Sequence, residues 1–208
     1  MIIRRLLALL LLGAVPLMQA CSARAAAATS LPFYDSADFT PHWTNSSAHV
    51  IADFSLTSQT GARVTRADLL GKVHIANFMF TECPTLCPTV MRNLERVQNA
   101  VAGDAIQLVS YSVTPDIDTP ARLAAFGAER GVDPAKWRLL TGDRATIYAL
   151  ARRSYFADDS RVDDPGAILH SEKVLLVDGQ GRLRGVYNGT LSYEMDKIVA
   201  DARQLAGS

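Results

Sequence analysis

Cysteine is scarce in this 208-residue chain, an excess of charge of either sign is missing, and no apolar run is long enough to cross a membrane comfortably. Each absence removes a class of explanation. Lys plus Arg equals Asp plus Glu at 21 each, so no basic surplus points to nucleic acid and no acidic tail points to a basic partner. The longest apolar run, Leu6 to Val15, is half of the ~20 residues that a spanning helix requires. No internal repeat or low-complexity block occurs beyond the alanines at 25–28. With 49% apolar residues, the chain has material for one domain with a full core and is too short to expect two.

The amino terminus assigns the compartment. Arg4 and Arg5, the apolar Leu6 to Val15 and the break at Pro16 predict an export signal over residues 1–20. Leu17-Met18-Gln19-Ala20-Cys21 resembles a bacterial lipoprotein box, in which Cys21 is lipidated and becomes the mature amino terminus. Ala23-Arg24-Ala25 offers a competing A-x-A cleavage site, which would release a soluble periplasmic protein near Ala25. The lipoprotein reading is preferred because it accounts for the third cysteine. Both readings place the chain at the periplasmic face of a bacterial envelope. Removing the signal takes two arginines and leaves 19 basic against 21 acidic residues, a formal charge of −2. The small, polar residues at 21–31 read as a flexible tether.

Cys83 and Cys87 are then the whole thiol inventory in an oxidising compartment. They stand in Phe78 to Met91, FMFTECPTLCPTVM, where an apolar strand ends and a helix begins. Each precedes a proline, which biases it away from the α region, so both thiols are expected in a turn. Pro88 suits the first helical position, and Val90, Leu94, Val97 and Val101 recur with helical period, predicting a helix over 88–102 with Cys87 at its N-cap. The positive end of that helix favours a thiolate, so at least one cysteine is expected to have a depressed pKa. Two sulfurs converging in a turn can close a disulfide or grip one soft metal ion. A purely structural bridge is the poorer account, because a loop of three intervening residues gives little entropic stabilisation.

The rest of the chain supplies a scaffold. Leu31 to Trp43 is aromatic but aperiodic, an extended arm packed on the domain. Strands are expected at Val50 to Leu56, Arg63 to Thr65, Val73 to Phe80, Ile106 to Val113, Trp137 to Leu140, Lys173 to Val177 and Leu183 to Tyr187. Val73 to Phe80 is almost continuously apolar, the mark of a strand buried on both faces. Helices are expected at Pro120 to Arg130, Arg144 to Ser154 and Leu191 to Leu205, and Asp178-Gly179-Gln180-Gly181 joins the last two strands as a hairpin. Strands alternating with helices, then a hairpin and a helix, describe an α/β fold with a mixed central sheet flanked by helices.

The series FTECPTLCPTVM, SVTPDIDTP, WRLLTGD and ILHSEKVLLVDGQGRLRGVYNGT resembles the Sco/SenC family of thioredoxin-fold copper proteins over roughly residues 32 to 205. The resemblance implies a thioredoxin-like domain over 32–208 in which Cys83 and Cys87 supply two thiolates and His170 an imidazole to one copper ion. Thiolates suit Cu(I), and an added imidazole makes a three-coordinate site that also holds Cu(II). Asp163 and Asp164 are candidates to orient the histidine, against the default that charged loop residues are solvated. The SVTPDIDTP loop matches a family element and receives no ligand role. His74, inside a buried strand, reads as a core residue, and His42 and His49 as surface residues of the arm. Met79 and Met91 flank the cysteines but read as core filler.

Two functions follow. As a metallochaperone the protein would receive copper, from an upstream periplasmic donor, and pass it by ligand exchange to a cuproenzyme, in the family most often the binuclear copper site of cytochrome c oxidase. It would then have no turnover of its own. As a thiol-disulfide oxidoreductase it would reduce a partner's cysteines before metallation. Three residues between the cysteines, where thioredoxins have two, together with a distant histidine that dithiol exchange does not need, rank copper above redox.

Overall fold

In the computed structural model, which describes residues 30–44, 49–158, 168–169 and 171–207, strands and helices alternate as expected. The strands are β1 (Ser55–Ser58), β2 (Arg63–Thr65), β3 (Val73–Met79), β4 (Ile106–Ser112), β5 (Trp137–Thr141), β6 (Lys173–Val177) and β7 (Leu183–Asn188). The helices are α1 (Cys87–Ala100), α2 (Pro120–Glu129), α3 (Arg144–Ala149) and α4 (Ser192–Ala206). The export signal with Cys21, nearly all of the tether, Asp163, Asp164 and His170 lie outside the described residues. Leu31–Ser208 clusters as one unit.

All strands join one mixed sheet in the order β2-β1-β5-β4-β3-β6-β7. Every residue of β3 is buried, because it lies inside the sheet with both faces covered. Its side chains alternate between two cores. Val73, Ile75 and Met79 face the core built with Val90, Met91, Leu94 and Val97 of α1, Leu123 of α2 and Ile198 of α4. Ala76 and Phe78 face the opposite core, with Tyr111 of β4, Ile147 of α3, and Leu150 and Tyr155 beyond it. Met79 and Met91 are each 1% exposed, which makes them core filler.

Four local expectations are corrected. The strand expected from Val50 begins only at Ser55, because Ile51 N–H donates to Gly181 O (2.8 Å) and Ala52 N–H to Ser154 Oγ (3.1 Å), outside any ladder. The arm doubles back: Phe33 and His42 exchange backbone hydrogen bonds at 2.7 and 3.1 Å. It does pack on the domain, where Arg184 donates to Leu31 O and Pro32 O and lies 3.9 Å from the Phe33 ring centroid. The helix expected at Arg144 to Ser154 changes to a π turn at Leu150–Ser154. Finally, α1 starts one residue early, with Leu86 as N-cap and its carbonyl accepting from the amides of Thr89 and Val90, both at 3.1 Å. Cys87 is thus helical despite preceding Pro88. Burial of Val90, Met91, Leu94 and Val97 outweighs the local bias.

Topology brings three chain segments to one end of the sheet. β3 and β4 are parallel, so the cysteine segment after β3 and the loop after β4 emerge together, with Val113 N–H donating to Met79 O at 2.9 Å. Loops at the carboxyl ends of parallel strands are where α/β folds place their sites. β6 is antiparallel to β3 with Asn77 opposite Val174, so β6 begins at that same end.

Candidate metal centre

Both cysteines are free thiols; Cys83 is buried and Cys87 partly exposed. Cys83 stays in the turn, its amide donating to Phe80 O (3.4 Å), whereas Cys87 opens α1. Their environments drive them apart. Burial works against ionisation of Cys83, but hydrogen bonds from the Cys87 thiol, from the amides of Cys87 and Thr85 and from the Thr85 hydroxyl (3.9 Å) outweigh it and hold this thiol below its ordinary range. Burial pushes Cys87 up to about 12, reinforced by its hydrogen bond to Cys83. The expected depressed thiol is therefore Cys83. The amide at the head of α1 favours charge on both sulfurs, and burial outweighs it only at Cys87.

The loop after β4 braces the turn. Asp118 is fully buried, and its carboxylate accepts from Thr81 Oγ1 (2.5 Å), Thr81 N–H (3.2 Å), Ser112 Oγ (2.6 Å) and Thr114 Oγ1 (3.0 Å). From the first turn of α2, Arg122 donates to Thr81 Oγ1 (2.8 Å) and pairs with Glu82 (2.9 Å).

The segment flanking His170 reaches the same end of the sheet. Leu169 is 4% exposed and belongs to the buried cluster that contains Phe80 and Cys83. Its amide donates to the Tyr148 hydroxyl (3.4 Å), which donates to Val113 O (3.2 Å). On the other side, Gly189 N–H donates to Glu172 O (2.7 Å), and Asn93 of α1 donates to Gly189 O (2.8 Å). The start of β6 is thereby tied to the helix that carries Cys87. Among the described residues, no third His, Cys, Asp or Glu joins the two thiols.

The other histidines have partners elsewhere. His74 is 2% exposed, five residues up β3 from Met79 and so about 17 Å along the strand, with Nε2 3.4 Å from Tyr155 Oη. Burial lowers its pKa to about 4. His42 pairs with Asp35 (3.1 Å), and His49 contacts Ser154 O (2.9 Å) and stacks on Phe156. Sequence reasoning missed Asp118, Tyr148 and Gly189 as parts of the site's frame. An aspartate in a polar loop reads as solvated, and the only signal was that its loop matched a family element.

The residues present suit a soft metal. Two thiols in hydrogen-bonding contact can become two thiolates once their protons leave, and thiolates select Cu(I).

Comparison with known proteins gives a consistent match. The family model described as SCO1/SenC matches residues 43–207. A SCO1 protein homolog of Bacillus subtilis is 28% identical over 156 residues, 74% of this chain and 81% of its own length. Among solved structures, a SCO1/SenC family lipoprotein from Bacillus anthracis aligns with a TM-score of 0.68 and 30% identity, over 79% of this chain and 99% of that one. BsSco, described as having a disulfide switch and as a member of the Sco family of cytochrome c oxidase assembly proteins, aligns with a TM-score of 0.67 and 26% identity, over 76% and 94%. ScoI of Bradyrhizobium japonicum, solved with copper bound, aligns with a TM-score of 0.60 and 28% identity, over 75% and 99%. The fold is the thioredoxin-like one of these structures.

Proposed function

This chain belongs to the SCO1/SenC family, and we propose that it is a copper carrier of the bacterial envelope. One ion is held by Cys83, Cys87 and His170 and passed by ligand exchange to a cuproenzyme, the binuclear copper site of cytochrome c oxidase. The observation that carries this reading is the pair of free thiols four residues apart at the head of α1, beside the end of the sheet where β6 begins. The copper-bound ScoI and the oxidase-assembly role stated for the family of BsSco support cargo and recipient. Cys87 is partly exposed, so an incoming thiolate can reach the pair and replace one donor at a time. In this proposal residues 1–20 are an export signal, Cys21 carries the lipid anchor, residues 21–31 are the tether, and 32–208 are the copper-binding domain. A homologue from Bacillus anthracis is described as a lipoprotein, which supports the anchor.

A second reading is favoured by the unequal thiols. A Cys83 thiol held below its ordinary range beside a Cys87 thiol pushed up to about 12 suits thiol-disulfide exchange. One thiolate attacks a partner disulfide and forms a mixed disulfide. The other then loses its proton and attacks in turn, which releases the partner as a dithiol and leaves Cys83–Cys87 oxidised.

Anaerobic titration of the reduced protein with Cu(I) against a chromophoric chelator separates the two. The carrier reading expects one tightly held ion, lost in Cys83→Ser and Cys87→Ser. His170→Ala is expected to weaken Cu(II) far more than Cu(I), because two thiolates suffice for the soft ion. No competition with the chelator, with both thiols still reactive, would sink the carrier reading and put exchange first.

A further inference from the structure

We propose that Asp118 is the positioning residue of this site, fixing the first half of the cysteine turn so that Cys83 is held in place opposite Cys87. The inference rests on the copper-carrier reading for its main readout, and on thiol exchange for an independent one. Asp118 is 0% exposed, and a buried carboxylate persists only when its lone pairs are used. Here they are used by donors from three segments. Oδ2 accepts from Thr81 N–H, Ser112 Oγ and Thr114 Oγ1, and Oδ1 from Thr81 Oγ1. Thr81 is two residues before Cys83, Ser112 ends β4, and Thr114 opens the loop to α2. One side chain thus joins the turn to the end of a buried strand.

The loop is rigid enough to hold that carboxylate still. Asp118 N–H and Ile117 N–H donate to Thr114 O at 2.8 and 2.9 Å, and Thr119 caps α2 by accepting from Arg122 N–H (3.3 Å). Arg122 grips Thr81 and Glu82, and its Nε lies 3.7 Å from Asp118 Oδ1 as an ion pair. Pro84 biases Cys83 towards a turn but does not fix where its sulfur lies. The backbone bond from Phe80 to Cys83, Cys83 N–H to Phe80 O, is 3.4 Å, long for such a bond. Removing the carboxylate leaves Thr81 N–H and the Ser112 and Thr114 hydroxyls facing a cavity, and frees Thr81, and with it Cys83, to move.

The test compares Asp118→Ala, Asp118→Asn and a distant control, Val132→Ala, which trims a core side chain after α2. Three quantities are measured on the full protein: melting temperature, Cu(I) dissociation constant by chelator competition, and the equilibrium constant for thiol-disulfide exchange with glutathione. Asp118→Ala is expected to weaken Cu(I) by about 10–100-fold, the usual cost of losing a residue that supports a ligand, and to shift the exchange constant. Asp118→Asn, with its carbonyl in the place of Oδ2, retains the acceptor for three donors, and the Thr81 hydroxyl turns to accept from the amide. It is expected to recover most of the affinity. Val132→Ala is expected to lower the melting temperature and leave both constants alone.

Wild-type constants in Asp118→Ala, an equal loss in Val132→Ala, or an Asn variant as damaged as the Ala variant would each overturn the assignment. If wild type binds no copper, the carrier reading falls while the exchange constant still decides the role of Asp118. Should Asp118→Ala not fold, Thr81→Val and Ser112→Ala, each removing one donor, are expected to shift both constants in the same direction by less, and unchanged constants in both overturn the proposal.

Discussion

Gly189 offers the sharpest structural test of how the site is held together, because the space for its missing side chain is closed by three different segments. A Cβ there would lie 2.7 Å from Val174 Cγ2 of β6, 2.9 Å from Val90 Cγ1 of α1 and 3.0 Å from Glu172 O. Carbon contacts normally sit at about 3.5–4.0 Å, so the two valines must each yield by roughly half an ångström or more, and the carbonyl cannot rotate away alone. That carbonyl is the acceptor for Gly189 N–H, and Gly189 O is the acceptor for Asn93. Gly189→Ala therefore strains the joint between the Cys87 helix and the start of β6. Overpacking of this kind costs about 1–3 kcal/mol, or roughly 2–4 °C of melting temperature per kcal/mol in a domain of this size. Urea unfolding gives the stability, and chelator competition gives the copper affinity. Both should fall, because the strained joint links the helix of Cys87 to the segment that leads from His170, the proposed imidazole ligand. Gly103→Ala is the control, since a Cβ there meets nothing within 4 Å. A Gly189→Ala protein with wild-type stability and copper affinity would refute the claim that this joint is closed.

Two further outcomes depend on pH. Limited alkylation of the reduced protein at pH 8, read by peptide mass spectrometry, is expected to label Cys83 before Cys87: a thiol at about 12 is ionised in only about one molecule in 10,000 there, and preferential labelling of Cys87 would reverse the assignment of the thiolate. His74, whose folded pKa of about 4 lies below the unfolded 6.5, contributes stability that is present above pH 6.5 and lost as pH falls towards 4. Between pH 7 and pH 5 wild type should lose about 2 kcal/mol more than His74→Gln in urea unfolding, and parallel curves would show that His74 is not buried as the neutral form.

The elements that the sequence made legible are those where burial and pattern agree. β3 reads as a run of apolar residues because both its faces are covered, and β2 and β6 match their expected bounds residue for residue. The errors fall where long-range bonds replace local ones. Ile51 and Phe54 look like strand residues because they are buried, yet their segment is pinned to the hairpin at Gly181 and to Ser154. No local pattern encodes a partner a hundred residues away. The cysteine pair stood out in the sequence through its spacing, its prolines and the export signal read at the amino terminus, and the structure finds both thiols free. Its frame did not stand out, since Asp118, Tyr148 and Gly189 acquire their roles from the parallel pairing of β3 with β4 and the antiparallel pairing of β3 with β6.

The two proposed functions, copper carriage and thiol exchange, compete for one site. A sulfur in a disulfide offers no thiolate, so the proposed copper site exists only while Cys83 and Cys87 are reduced. The Asp118 frame holds Cys83 against that change, while Cys87 is fixed in α1. Closing the bridge asks the turn to move and leaves the helix alone. Loading then costs the proton that burial keeps on Cys87, so copper uptake releases protons, and its apparent affinity should rise with pH by at least tenfold per unit through neutrality, well below the Cys87 pKa of about 12. Chelator competition at pH 6, 7 and 8 measures that slope. A flat profile would mean that Cys87 is not a ligand in its thiolate form, and would remove the geometric reason for placing the two cysteines at the head of one helix.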